Sequence, residues 1–336
     1  MAATPWTDTA LKPLVRKRVG GWPEFAPLAL ALCLIPTFAP AADFHAAWFA
    51  PRAAAFAQAV ESLPSTLDRL CAATPETTPA ALDQARQSWT AGLLAWERLS
   101  AVALGPLLER RSTRQIDFSP TRPRLIEKAL KAAPATLADL ERIGTPAKGF
   151  PALEWLLWVK PLAPASTECR YARLLAEEIR QEARALAAAP APTQEAQAAL
   201  GERVNQWVGG LERLRWAQME MPARVAATAG SPPDFPRRTA GAHAAAWAAQ
   251  WDALKGVAGG PAGLEDELRQ RGHSDLAAAL AAALARTDAL LAGVDGGNTD
   301  TLLAATRQLA GLKSLVEDQV APALGVSIGF SDADGD

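Results

Sequence analysis

The chain has 336 residues and a formal net charge of −2, with 49% hydrophobic and 21% charged residues. That balance excludes a disordered, charge-swollen chain, and a net charge near zero argues against a nucleic-acid partner, which would need a basic face. Alanine supplies 76 residues against a single tyrosine, which favours helix, alanine being the best intrinsic helix former.

At the N-terminus, Leu11 to Val19 carry Lys12, Arg16, Lys17 and Arg18 with no acid among them. An apolar run from Ala26 to Pro40 follows, and Ala39-Pro40-Ala41 supplies the small-residue pattern of a cleavage site. This is the anatomy of a secretory signal peptide over residues 1–41. Its apolar core contains Pro27 and Pro36 and is too short to span a bilayer as a helix. Leu32 precedes Cys33, where a lipoprotein site wants a small residue, which argues against lipidation. The chain is therefore expected to be exported, to the periplasm or the cell envelope.

Removal of the leader leaves Cys71 and Cys169. Two cysteines in an oxidising compartment point to a disulfide, the alternative being two buried thiols. Closing a loop of nearly a hundred residues is worth on the order of 4–5 kcal/mol in the chain-entropy model.

No segment shows sustained apolar/polar alternation with β-branched enrichment, so no strand is expected. Pro79 behind Thr78 opens a helix to about Ser100, and Leu82, Ala85, Trp89, Leu93 and Trp96 form one apolar stripe along it. Ser119 to Arg124 is a turn, and helix resumes to Lys131. Gly149 breaks the chain before a short apolar helix, Phe150 to Val159. Longer helices are expected over Glu168–Ala189 and Gln194–Arg224, the second ended by Gly230-Ser231-Pro232-Pro233. Beyond it lie helices near Thr239–Val257, Leu264–Arg271, Ser274–Leu291 and Thr299–Leu324. The fold expected is all-α, two packed antiparallel helical bundles over residues 42–230 and 231–336 that together make one domain. Trp89, Trp96, Trp155, Trp158, Trp207, Trp216, Trp247 and Trp251 are expected in the core.

The most informative segment is Gly149 to Trp158, in which Glu154 is the lone carboxylate of an otherwise apolar helix. Burying it unpaired costs several kcal/mol, so it needs an arginine, a metal or a shared proton. Arginine candidates are Arg110, Arg111 and Arg114, or Arg237 and Arg238, the last two placed to open a helix after Pro236. Arg114 and Asp117, three apart before the proline turn, form a local ion pair or converge with Glu154 on one polar site. His45, His243 and His273 have no metal-ligand spacing, and His243 and His273 read as surface or capping residues. Gly325 to Gly329 formally matches a nucleophile elbow, but that motif needs a strand before it. Asp332, Asp334 and Asp336 lack a calcium loop and form an acidic tail.

Taken in order, these blocks resemble the imelysin family, exported all-helical proteins first described as insulin-cleaving peptidases. The likeness rests on Ala85-Arg86-Gln87-Ser88-Trp89 through Trp96 and Gly105-Pro106; on Arg114 to Phe118 with Pro120; on Gly149 to Leu157; on Arg237 to Gly241; and on Leu324 to Phe330. The family signature is glycine, any residue, histidine, two residues, glutamate, and here Pro151 stands in the histidine position. Proline can neither ligate a metal nor move a proton, so the chain resembles a branch lacking the histidine. The resemblance implies a pocket at the junction of two bundles, drawing on Arg114, Asp117, Glu154 and Arg238 and narrowed by Pro151. It also implies a link to iron or haem acquisition, with a small iron-related ligand or an envelope protein as partner and peripheral envelope association. The function expected is a binding protein without catalytic residues. The alternatives are a metal-dependent peptidase, with Glu154 as general base and weak metal ligand, and an envelope scaffold held by a structural Glu–Arg pair.

Overall fold

Proline and glycine punctuate the chain, and helices begin and end accordingly in a computed structural model that describes residues 44–160 and 162–329. The leader with Cys33, the acidic tail and Phe330 lie outside the described residues. In chain order the α-helices are α1 (Ala50–Val60), α2 (Leu63–Cys71), α3 (Thr78–Ser100), α4 (Pro106–Glu109), α5 (Ser112–Ile116), α6 (Pro123–Ala132), α7 (Leu137–Leu140) and α8 (Gly149–Trp158). They continue as α9 (Thr167–Ala187), α10 (Ala196–Glu212), α11 (Met221–Ala229), α12 (His243–Gly259), α13 (Leu264–Gln270), α14 (Ser274–Leu291), α15 (Thr299–Leu315) and α16 (Ala321–Ala323). No strand occurs among the described residues.

Seven of these helices carry proline in their first turn, where its missing N–H costs nothing. Side-chain caps fall where Ser166 accepts from Cys169 N–H and Asn298 from Asp300 and Thr301 N–H, satisfying orphan donors. Three π-helical segments, His45–Phe49, Arg213–Glu220 and Val316–Val320, interrupt or precede regular helix. Two of them lie inside stretches the 3.6-residue period reads as unbroken helix.

The long α3 is the axis of the packing. Ala85, Trp89, Leu93 and Trp96 are fully buried along it, and it packs on α1, α2, α8 and α12. Helix α9 lies against α1, α2 and α8 through Tyr171, Leu175, Ile179 and Leu186. Further on, α10 and the π segment after it pack on α15, and α14 packs on α13 and α15. Cys71 at the end of α2 and Cys169 in the first turn of α9 are joined, their Cα atoms 5.7 Å apart and 98 residues apart in sequence.

Two expectations fail. Trp216 is 43% exposed, because the π segment turns it out of the face that carries Leu214 and Met219. Arg237 and Arg238 do not open a helix: Arg237 has φ of +66° in a tight turn, and α12 starts only at His243.

Candidate functional site

Helix α8 is clamped from three sides. Gly149 has φ of +66°, and a Cβ there would lie 1.9 Å from Ile116 O, so only glycine lets the helix start against the end of α5. From α3, Trp89 Nε1 donates to Phe150 O at 3.2 Å, and Arg86 donates to Leu157 O at 3.0 and 2.8 Å. The loop before α8 is held by Tyr171 Oη donating to Ala147 O at 2.6 Å and by a buried Lys148–Glu178 ion pair. Glycine serves a second close approach at Gly210, whose Cβ would come 2.3 Å from Ala101 O. That contact sets Arg213, one turn on, beside the end of α3, where it donates to Ser100 O at 2.7 Å.

These constraints bring Glu97 of α3, Asp117 after α5 and Glu154 of α8 around one guanidinium, that of Arg237. Asp117 Oδ1 accepts from Arg237 Nη2, while its Oδ2 accepts from Trp96 Nε1 at 2.8 Å. Glu97 Oε1 lies 3.5 Å from Arg237 Nε, and Glu154 Oε2 lies 4.0 Å from Nη1. Glu154 Oε1 accepts the backbone N–H of Ala240 at 3.0 Å. All four side chains are at least nine-tenths buried. The left-handed turn at Arg237 drives its side chain inward and leaves Arg238 exposed.

With Arg213 included, three carboxylates face two guanidiniums, so a fully ionised cluster carries one uncompensated negative charge inside the protein. Burial, and then the neighbouring Asp117, push Glu97 up to about 7 against the opposing pull of Arg237 and Arg213. Burial also raises Glu154, opposed by Arg237 and the Ala240 N–H and reinforced by Asp117 and Asp234. Desolvation works against the charge of Arg237, yet Asp117, Glu97 and Glu154 together outweigh it and hold the group firmly protonated. On Arg213 burial wins, and its pKa is lowered. The physical result is a cluster whose excess negative charge is relieved by protonation of Glu97.

Of the residues singled out from sequence, Asp117 and Glu154 meet here. Pro151, buried in α8, offers no donor. Arg114 and Arg238 are exposed and have no ion-pair partner among the described residues; the cation of the cluster is Arg237. Arg110 instead forms a bidentate pair with Glu182, shared with Ser112. Glu97 and Arg213 were not anticipated. Glu97 had a signal, since it falls four residues after Leu93 on the buried stripe; Arg213, in the charged run Glu212 to Arg215, had none.

A metal does not fit this arrangement. The place where a cation would sit among the three carboxylates is taken by the Arg237 guanidinium, and no group of three or more His, Cys, Asp or Glu side chains among the described residues is arranged to hold an ion.

Fold and site together define an all-helical protein with an arginine-centred carboxylate cluster sealed between α3, α8 and the turn before α12. The family model for imelysin matches residues 49–323, and the chain belongs to that family. Among solved structures it is similar to an imelysin-like protein from Psychrobacter arcticum 273-4, with a TM-score of 0.65 and 21% identity over 84% of this chain and 93% of that one. It is also similar to a candidate iron-regulated protein A precursor from Parabacteroides distasonis ATCC 8503, with a TM-score of 0.67 and 15% identity over 85% and 93%. At these identities the likeness speaks for the fold. No curated protein matches the chain.

Proposed function

We propose that this chain is an exported binding protein of the imelysin type, acting at the cell envelope in iron or haem acquisition and not as a peptidase. The observation that carries the reading is a pair of exposed cations rooted in a buried tie. Asp117 and Arg237 pair inside the protein, while Arg114, three residues before one, and Arg238, next to the other, face solvent without ion partners among the described residues. Exposed, unpaired guanidiniums on rigidly held backbone suit carboxylate-bearing ligands, which they grip bidentately. Iron would then arrive as an anionic chelate or as haem, whose carboxylates Arg114 and Arg238 receive, rather than as a bare cation competing with Arg237. The name of the Parabacteroides protein supports the iron connection, and its designation as a precursor supports export. No helix among the described residues is long and apolar enough to cross a membrane.

The scaffold reading has one specific observation behind it. Glu154 and Asp117 already spend oxygens on Ala240 N–H, Trp96 and Arg237, as a purely structural tie would. Titration with haem and with ferric citrate separates the two, using wild type, Glu154→Ala and the double variant Arg114→Ser/Arg238→Ser, each checked for folding by circular dichroism. Binding that falls at least tenfold in the folded double variant supports the proposal. Absence of binding by wild type, with Glu154→Ala merely less stable, supports the scaffold.

A further inference from the structure

Helix α6 turns a row of cations to solvent. Its inner side is apolar: Ile126, Ala129 and Leu130 are buried, and the helix packs on α8, α9 and the turn at Thr145–Ala147. Arg124, Lys128 and Lys131 stand four and three residues apart, so they share one stripe. That stripe falls opposite the buried side, and all three are exposed. Arg122, immediately before the helix, is exposed as well.

None of these four side chains has an ion pair or a hydrogen bond among the described residues. Glu127, the only acid of the helix, stands three residues after Arg124 and four before Lys131. Those are the spacings at which helical ion pairs form, yet Glu127 pairs with neither. Other surface cations of this protein do find carboxylates: Arg180 meets Glu177, Arg184 meets Glu61, and Arg269 meets Glu265. Residues 122–131 therefore carry four cations against one acid, in a chain with 34 cations against 36 acids. The net charge near zero conceals this local excess. Beside the stripe Leu125 is 42% exposed.

We propose that this face of α6 is a peripheral binding surface for a bilayer that contains anionic phospholipid. Lysine and arginine reach headgroup phosphates on flexible apolar stems, and each one brought to an anionic lipid surface multiplies binding by about fivefold. The stripe runs along the outermost line of the helix, where four cations in a row meet a flat array of phosphates. Leu125 favours the bilayer over a soluble polyanion, because it enters the acyl boundary beneath the headgroups and a polyanion offers it no apolar contact. No helix among the described residues is long and apolar enough to cross a membrane, so the contact is peripheral. The inference rests on the export reading above only in placing the protein beside an envelope bilayer. Arg114 and Arg238 take no part in it.

The test is co-sedimentation of the mature chain, residues 42–336, with vesicles of phosphatidylcholine alone or of phosphatidylcholine and phosphatidylglycerol in a two-to-one ratio. Binding to the anionic vesicles should be tighter by about tenfold or more, and should vanish near 1 M salt, where the Debye length is about 3 Å. The variant Arg124→Gln/Lys128→Gln/Lys131→Gln keeps good helix formers and should lose at least about tenfold, with its fold checked by circular dichroism. Arg69→Gln/Arg286→Gln/Arg307→Gln removes as many exposed, unpaired cations from other helices, and should bind as wild type does. Leu125→Gln should weaken vesicle binding by about threefold or more while leaving retention on heparin unchanged. No preference for anionic vesicles, or equal losses in the two triple variants, overturns the proposal. Retention on heparin without vesicle binding also overturns it, in favour of a soluble polyanion. Haem titration of the α6 triple variant keeps the two readings apart, since Arg114 and Arg238 remain in place: haem binding as in wild type with vesicle binding lost separates the lipid surface from the ligand site.

Discussion

Glu97 is the group whose ionisation sets the charge of the central cluster, and replacing it by glutamine makes the neutral form permanent. Its pKa rises from the ordinary 4.5 to about 7 in the folded protein. Each unit is worth 1.36 kcal/mol, so the shift amounts to about 3 kcal/mol of pH-dependent stability. The sign follows from proton binding. Between about pH 4.5 and 7 the folded state holds a proton that the unfolded chain has released, so this stabilisation is complete below about 4.5 and is lost as the pH rises through about 7. Glu154 and Glu178, also raised by burial, slope the same way, and the difference between wild type and Glu97→Gln isolates Glu97. Denaturant unfolding at a series of pH values from about 5 to 8.5 measures it. Wild type and variant should be of similar stability near pH 5, and the variant more stable by up to about 3 kcal/mol at pH 8.5. Parallel curves for the two proteins would refute the account of Glu97 as the group that takes up the cluster's proton.

Further outcomes follow from the same geometry. Arg237→Ala leaves three buried carboxylates without their central cation and should cost about 3–5 kcal/mol, read as a lowered denaturant midpoint. Gly149→Ala forces a Cβ into Ile116 O at a positive φ and should destabilise by more than about 4 kcal/mol, the range reserved for backbone and core disruption. The double variant Cys71→Ser/Cys169→Ser releases a closed loop of about a hundred residues and should lose about 2–5 kcal/mol, with no further loss on adding reductant. Pro151→His restores the signature histidine, yet it should confer no zinc-dependent hydrolysis of an unfolded polypeptide, because Arg237 still fills the cation position.

Much of the fold was legible because helix signals are local. The first-turn proline Pro79, the Gly149 break and the apolar stripe of α3 each mark a boundary or a face without tertiary information. The disulfide followed from compartment and count. Glu154 as a buried carboxylate in need of an arginine was equally readable, since an apolar helix leaves a lone acid nowhere else to go. Which arginine answers it was not, because Arg237 and Arg238 are adjacent and chemically identical. Only the left-handed backbone at Arg237 decides which points inward, and nothing in the residue type announces a positive φ on an arginine. The π segments escaped for a related reason: they preserve the composition of a helix while shifting its phase, and so turned Trp216 outward. Arg213 reaches Glu97 and Asp117 only because Gly210 lets α10 approach Ala101, a contact more than a hundred residues apart in sequence.

The central claim is that the cation among Glu97, Asp117 and Glu154 is Arg237 and not a metal. Equilibrating the protein with zinc and with ferrous iron, removing free metal and counting the bound ions by mass spectrometry tests it directly, with Glu154→Gln alongside. The account predicts no stoichiometric metal that depends on Glu154 and no rise in melting temperature on adding either ion. One ion per chain retained by wild type and lost by Glu154→Gln would contradict it.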